Sequence, residues 1–466
     1  MFKKKETEHY DYPQVCIFQD THDENRFRSY LQNERMYNNE TSIYIHVPYC
    51  KSICVFCNYF KLIWGTTSEE EVEAYVSSVE QEIEYYGSRL PERLKRISGI
   101  QFGGGTPTIL PEHYMKRILE ALRKNFDLSK CSLVSIEGTM DSLIIDDFEC
   151  VSRLACMGFN RVSFGVQTFT PELRRKYGLV GKIEKFEELC AEFHKTGLTD
   201  FNIDLMYNYP EQNPEDVIQN IDKAFELGVT AIDLYSLNVF PETKLYHRYK
   251  QRGLWDDFIN PEKENAYQMI YQFLKSRDDI HAIMGNTISK RRTAPHNTLS
   301  IQLGNNRDYG GSTIGIGPSS RGIIDGYVYK NYADMEKYVN GVKEKGNGIS
   351  VSQEVSQEEM ENRTIVMFPN FMHLNKNEAA ALERHREKID QLIEAGMLIE
   401  TKDQLVIPKE HGYWVGNMSS MFYSTMQTKK MIKSYFQTRK HGFNLYNQDQ
   451  MQVKKNEIVN TKGVGN

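Results

Sequence analysis

No stretch of this 466-residue chain approaches the run of roughly eighteen apolar residues that a membrane helix needs. Nor is there an N-terminal apolar core of the kind that a secretory signal carries. Net charge is small: 57 Lys and Arg against 63 Asp and Glu leave −6. No basic cluster offers nucleic acid or an anionic membrane surface an electrostatic footprint. Cysteine is sparse at 8 residues, too few in a chain this long for a disulfide framework. These absences predict a soluble, cytoplasmic protein with no membrane span and no nucleic-acid partner. The length allows two or three domains.

Three of the cysteines are concentrated where the others are scattered. Cys50, Cys54 and Cys57 stand at spacings of four and three, so one loop could wrap a single inorganic centre. A [4Fe–4S] cluster normally takes four thiolates, and three would leave one iron open to another ligand. Structural zinc would usually show a second Cys-x-x-Cys or Cys/His pair, and none follows at the expected distance. The cluster is the favoured reading and zinc the alternative. The other five, Cys16, Cys131, Cys150, Cys156 and Cys190, read as small buried hydrophobes or incidental thiols.

Around that loop the chain alternates strand and helix patterns. A β-rich run at 43–47 leads to Cys50. Residues 69–86 follow with Val72, Tyr75, Val76, Val79, Ile83 and Tyr86 on one helical face and Ser68 as cap. Strands are expected at 97–102, 132–137, 161–166, 200–206 and 231–237, with helices at 112–126, 146–157, 183–196 and 215–227 between them. This alternation predicts an α/β fold, a parallel sheet wrapped by helices, barrel-like or doubly wound. Ligands bind at the carboxyl ends of strands in such folds. The cysteine loop, the run Gly103-Gly104-Gly105, Glu137, Gln167 and Asp204 all fall at or just beyond strand ends, which points to one shared site. Helices at 356–367, 376–385 and 386–395 and a hairpin at 398–407 suggest a compact winged-helix-like module. The domain boundaries expected are a polar arm at 1–42, a core at 43–265, an extension at 266–350, the module at 351–447 and a disordered tail at 448–466.

The motifs resemble one family. Cys-x3-Cys-x2-Cys with Phe56 before the last cysteine resembles the signature of the radical S-adenosylmethionine (SAM) superfamily. Tyr44-x-His46-x-Pro48-Tyr49-Cys50 is similar to the branch that holds oxygen-independent coproporphyrinogen III oxidase, a related heme chaperone and the class C radical SAM methyltransferases. Gly103 to Thr108, Gly158 to Phe169, Asn202 to Pro210 and Gly315-Ile316-Gly317 match that branch in order, with a weaker match at Gly412 to Asn417. The resemblance implies a partial (β/α) barrel as the radical SAM core. It implies a [4Fe–4S] cluster on Cys50, Cys54 and Cys57 whose open iron chelates SAM, from which reductive cleavage gives a 5′-deoxyadenosyl radical. It places Tyr44 and His46 beside the cluster as catalytic residues. Phe56, Gly103, Gly104, Gly105, Thr106, Glu137, Gln167 and Asp204 fall around the first SAM, and Gly315 and Gly317 near a second. It further implies an electron donor such as flavodoxin or ferredoxin, and a small planar substrate.

Three departures bear on which relative this chain is similar to. Asn58 and Tyr59 stand where the oxidase pattern has glycine and a further cysteine. His296-Asn297 begins the chaperone's heme motif, but the aromatic half is absent. Leu179 replaces an arginine about twelve residues after Gln167, leaving Arg174 or Lys182 as substitutes. Methyl transfer from a second SAM to an sp2 carbon of a tetrapyrrole or other planar aromatic is therefore the leading expectation. Oxidative decarboxylation of coproporphyrinogen comes next, and a heme-binding chaperone third.

Overall fold

The computed structural model describes residues 22–32, 40–57, 59–179, 181–210, 212–239, 243–251, 262–291, 311–378, 381–425 and 427–428. Cys16, Asn58, His296, Asn297 and the tail at 448–466 lie outside the described residues.

A single twelve-stranded sheet organises the fold. Its strands are β1 (Thr41–Val47), β2 (Ile97–Gly104), β3 (Leu133–Thr139), β4 (Arg161–Gln167), β5 (Phe201–Tyr207) and β6 (Ala231–Ser236). They continue as β7 (His281–Met284), β8 (Thr287–Ser289), β9 (Ser312–Ile316), β10 (Arg321–Ile324), β11 (Tyr327–Asn331) and β12 (Ile349–Glu354). The spatial order is β12-β11-β10-β9-β1-β2-β3-β4-β5-β6-β8-β7. From β9 through β6 every pairing is parallel, as the strand–helix alternation predicts. Both flanks are antiparallel, which the sequence reading did not anticipate. One flank had a legible signal. Asp325 and Gly326, both at positive φ, make the two-residue turn between β10 and β11 that an Asp-Gly pair favours.

Side-chain alternation divides the sheet into two chemically distinct faces. Ile43, Ile45, Val47, Ile100, Phe102, Ile136, Val162, Phe164, Ile203, Leu205, Ile232 and Leu234 join one continuous apolar core with the covering helices. The helix Glu69–Arg89 shows why. Ser68 and Glu71 close a capping box, and Val72, Tyr75, Val76, Val79, Ile83 and Tyr86 all bury. Each such side chain contributes about 1.5–3 kcal/mol through the apolar area removed from water. The opposite face carries the alternating partners: Ser42, Tyr44 and His46 on β1, Gln101 and Gly103 on β2, and Ser135 and Glu137 on β3. Ser163 and Gly165 on β4, Asn202 and Asp204 on β5, and Asp233 and Tyr235 on β6 continue it. Convergent polar side chains of this kind are what fixes the orientation of a ligand in a pocket.

Within the segment read as a polar arm, residues Glu24–Gln32 form a helix that buries Phe27, Tyr30 and Leu31. The Tyr30 hydroxyl donates to the Asp325 carbonyl at 2.7 Å, fastening it to the β10–β11 turn. Toward the C-terminus, helices Gln357–Phe371, Arg386–Glu394 and Val415–Met421 enclose a second apolar core. A three-stranded antiparallel sheet of His373–Asn375, Ile399–Glu400 and Gln404–Val406 completes it. The helix expected at 376–385 is instead two short 3-10 turns, Lys376–Glu378 and Glu383–His385, on either side of the undescribed 379–380. Lys376 anchors the first of them. Its N–H donates to the Asp403 carbonyl and its Nζ binds Glu400 and the Thr401 carbonyl, so this turn is tied to the hairpin. Tyr413 stacks edge-on against Tyr267 at 4.1 Å between ring centroids, joining the Gly412–Asn417 motif to the helix Glu262–Lys275.

Candidate functional site

The cysteine loop begins where β1 ends and is braced at several points. Gly105 and Thr106 donate their N–H groups to Val47 and Tyr49 at 2.8 and 2.7 Å, and Leu62 donates to Pro48 at 2.6 Å. Inside the loop Cys57 N–H donates to the Cys54 carbonyl, and Lys61 Nζ reaches the carbonyls of Cys57 and Tyr59. Thr106 Oγ1 lies 3.6 Å from Cys50 Sγ. All three thiols are free and partly accessible. Burial pushes the Cys54 thiol up to about 11, and Cys57 and Cys50 add to the rise because their charges fall close to its own. Burial also raises Cys50, partly offset by the Thr106 hydroxyl. Among the described residues no three His, Cys, Asp or Glu side chains converge on one point as a lone metal ion would ask. A cubane asks something else, since each thiolate takes a different iron. Three neighbouring, mutually repelling thiols on one braced loop fit that donor set. Phe56 packs against an apolar cluster of Val55, Leu173, Tyr177, Tyr209 and the β5 residue Met206, and Leu179 packs against the same cluster. At the position of the missing arginine the chain thus packs against the cysteine loop. Arg174 instead donates to the carbonyls of Val166, Thr168 and Gly181, holding the turn that follows β4.

The three glycines at the end of β2 are each pressed against a neighbour. A Cβ on Gly103 would stand 2.8 Å from both Glu137 Oε1 and the Tyr44 ring. On Gly104, at φ +114°, it would stand 2.6–2.8 Å from the His46 ring, and on Gly105 2.5 Å from the Tyr49 carbonyl oxygen. Glycine is required here because the backbone runs directly over site residues. Gly104 N–H donates to Glu137 Oε2 at 3.1 Å and Gln101 Nε2 to Glu137 Oε1 at 3.2 Å. Desolvation raises the Glu137 carboxyl to about 7 against those two hydrogen bonds. His46 is buried, its Nδ1 3.1 Å from the Tyr44 hydroxyl, and its pKa falls to about 4 because burial disfavours the imidazolium. Gly317, at φ +96°, backs the same residue: a Cβ there would stand 2.5 Å from the His46 carbonyl oxygen. Gly315 exchanges hydrogen bonds with Tyr329, its N–H donating and its carbonyl accepting.

Gln167 closes β4 at φ +70°, beside a register shift in the β4–β5 pairing, and its buried Oε1 has no partner. A strained non-glycine residue with an unused acceptor is the kind of outlier that accompanies ligand sites. Across from it, Gly165 pairs with Asp204. The structure therefore gathers Cys50, Thr106, Tyr44, His46, Gly103, Gly104, Glu137 and Gly317 in direct succession, with Gln167 and Asp204 on the adjoining strands. Asp233 and Tyr235 occupy the same face of β6 and were missed by the sequence reading. Their signal was the alternation in Ala231-Ile-Asp-Leu-Tyr235, which puts Asp233 level with Asp204. Tyr59 lies largely exposed, near both Tyr44 and Tyr235.

Residues 44–224 match the Radical SAM superfamily. Heme chaperone HemW of Lactococcus lactis is 24% identical over 394 residues, covering 82% of this chain and 97% of that protein. Oxygen-independent coproporphyrinogen III oxidase of Salmonella typhimurium is 26% identical over 321 residues, 66% of each chain. The solved structure of coproporphyrinogen III oxidase from Escherichia coli superposes with a TM-score of 0.71 at 21% identity, covering 89% of this chain and 96% of that one, which shows the shared fold. Loop, strand-end site and fold agree: this chain belongs to the radical SAM superfamily, in its oxygen-independent coproporphyrinogen III oxidase-like branch, and is a radical SAM enzyme whose cofactors are a [4Fe–4S] cluster and SAM.

Proposed function

We propose that this enzyme is a class C radical SAM methyltransferase, acting on an sp2 carbon of a tetrapyrrole or another planar aromatic. The observation that carries this reading is the pair Asn58-Tyr59 after the cysteine loop. It removes the further cysteine of the oxidase pattern, and Tyr59 instead puts an exposed phenol near Tyr44 and Tyr235. The tetrapyrrole class is supported by the relatives, which carry the names of a heme chaperone and a coproporphyrinogen oxidase. A cytoplasmic location, a flavodoxin- or ferredoxin-like reductant and the domain boundaries given above belong to the same proposal.

In this reading Cys50, Cys54 and Cys57 hold the cluster. With SAM bound there, the pair supplies a 5′-deoxyadenosyl radical, which is chemistry the side chains do not have. The chain's own part is positioning and exclusion of water. The glycine run keeps the β2 backbone in contact with Tyr44, His46 and Glu137. His46 stays neutral at physiological pH and so adds no positive charge near a cationic ligand. Gln167 offers its unused acceptor, and Glu137 and Asp204 line the first SAM. Gly315 and Gly317 lie on the side where a second SAM would serve as methyl donor.

The heme-chaperone alternative is favoured by one observation, the coverage of almost the whole of that relative. The test is incubation of the reconstituted, reduced protein with methyl-labelled SAM and heme or candidate aromatics. Labelled product together with 5′-deoxyadenosine supports methyl transfer. 5′-Deoxyadenosine without label in product sinks it, and carbon dioxide release from coproporphyrinogen would establish decarboxylation instead. Stoichiometric heme binding and delivery to an apo-acceptor, with no SAM turnover, would establish the chaperone.

A further inference from the structure

Asp204 and Asp233 face each other across parallel strands β5 and β6, in direct register and on the ligand face of the sheet. Their surroundings differ sharply. Asp233 is 5% exposed and is held by two donors, Asn202 Nδ2 at 2.7 Å on one oxygen and the Thr287 hydroxyl on the other. Arg161, on β4, adds a favourable charge from the side. Asp204 receives no hydrogen bond from any described residue, and it faces two further carboxyls, Asp233 and Glu137. Tyr235, a further titratable group of this face, is held in its neutral form by burial first and by these carboxylates in addition.

We propose that Asp233 is a positioning residue that fits Asp204 to a positively charged ligand. Held as the anion by Asn202 and Thr287, Asp233 makes Asp204 retain a proton while the site is empty. A cation arriving at Asp204 releases that proton to solvent and takes its place as the counter-charge. Two like charges on adjacent strands in a desolvated site cannot both persist, and the one with donors keeps its charge. Both carboxyls are raised by burial, and Asp204 is raised well above the usual carboxylate range by Asp233 and Glu137 in addition. The fitting ligand is the sulfonium cation SAM; its neutral demethylated sulfide, S-adenosylhomocysteine, lacks the charge that would displace the proton. This step rests on the reading that Asp204 lines a SAM site, and Glu137 is a second carboxyl of the same lining.

Asp233→Asn is the informative variant, because it removes the charge and keeps the shape. Asn202 can turn its amide to accept from the new side chain, since its Oδ1 has no partner now. The first readout needs no SAM. Infrared titration of protein carrying 13C-labelled aspartate should show a protonated-carboxyl band that disappears in Asp204→Asn, and whose midpoint falls by about 1 to 3 pH units in Asp233→Asn. A midpoint unmoved by Asp233→Asn, or a band that survives Asp204→Asn, overturns the proposal. The second readout is binding to the cluster-reconstituted enzyme across pH. SAM affinity should rise with pH through the Asp204 midpoint, that rise should move to lower pH in Asp233→Asn, and S-adenosylhomocysteine should lack the shifted component. Equal shifts for both ligands would overturn the role of the sulfonium. Wild-type enzyme that binds no SAM would overturn the underlying site reading instead, with the infrared result left standing as a property of the pair.

Discussion

The Tyr44 hydroxyl lies 3.1 Å from His46 Nδ1, two residues along the same strand and on its ligand face. The two rings also meet edge-on at 6.0 Å, so they act as one unit fixed above Gly103 and Gly104. Removing the hydroxyl leaves a buried ring nitrogen without its partner. Tyr44→Phe should therefore lower unfolding free energy by about 1–3 kcal/mol. It should also slow 5′-deoxyadenosine formation, whereas the cluster's visible absorbance persists. Denaturant unfolding and a single-turnover assay separate the two effects.

His46 also sets part of the acid sensitivity. Its folded pKa, about 4, lies below its ordinary value of 6.5. Between these values the unfolded chain binds more protons, so this group's contribution is complete above pH 6.5 and is lost as pH falls toward 4. The loss is on the order of 3 kcal/mol. His46→Asn should flatten the stability profile over that window. A profile as steep as wild type would show that some other group is responsible.

The glycine run makes a steric prediction. Gly105→Ala would put a methyl 2.5 Å from the Tyr49 carbonyl oxygen, which is backbone and cannot swing aside, and Gly104→Ala meets the His46 ring at positive φ. Each should cost about 1–3 kcal/mol or more through overpacking and backbone strain. Each should also impair cluster reconstitution, because the Tyr49 carbonyl stands one residue before Cys50. Gly65→Ala, with nothing within 4 Å, is the control and should be close to neutral in a thermal melt.

Much of this site could be read from the sequence because its residues are local to motifs. Cys50, Cys54 and Cys57 share one loop, and Tyr44 and His46 share one strand that delivers the chain to it. The parallel sheet was legible for a similar reason: apolar runs such as the one ending at Phe102 alternate with amphipathic helices such as Glu69–Arg89. Asp233 was not legible as a partner of Asp204, since only the strand register sets them side by side. Neither was the role of Arg174, whose guanidinium satisfies backbone carbonyls around a turn whose shape no spacing reveals. The helix Glu24–Gln32 escaped notice because its buried side is only Phe27, Tyr30 and Leu31, covered by residues some three hundred positions away.

The thiol loop makes the simplest loss-of-function prediction. Replacing Cys50, Cys54 or Cys57 singly by alanine should abolish the reconstituted iron–sulfur absorbance and SAM cleavage together. Cys156, exposed on a helix away from the loop, is the control, and its alanine variant should keep both. Retention of full absorbance by any one of the three loop variants would remove that cysteine from the ligand set.

Glu82 gives a prediction away from the sheet's ligand face. Its buried carboxylate accepts from Gly317 N–H at 3.0 Å, Gly348 N–H at 3.2 Å, Asn331 Nδ2 at 2.9 Å and the Tyr338 hydroxyl at 2.7 Å. One carboxylate on the helix Glu69–Arg89 thus holds the glycine that backs His46. Four donors converge on it, so an amide in its place must point an NH2 at other donors. Glu82→Gln should cost about 1–3 kcal/mol, the usual penalty for leaving a buried donor without its acceptor. Burial raises the Glu82 pKa to about 6, against those four hydrogen bonds. Here the sign is opposite to that of His46: the folded state binds the extra proton between pH 4.5 and 6, so wild-type stability falls as pH rises through that window. Glutamine has no such term. The stability gap between wild type and Glu82→Gln should accordingly narrow by about 2 kcal/mol from pH 4 to pH 7. Paired denaturant titrations at the two pH values measure it, and a gap that widens would place the proton elsewhere.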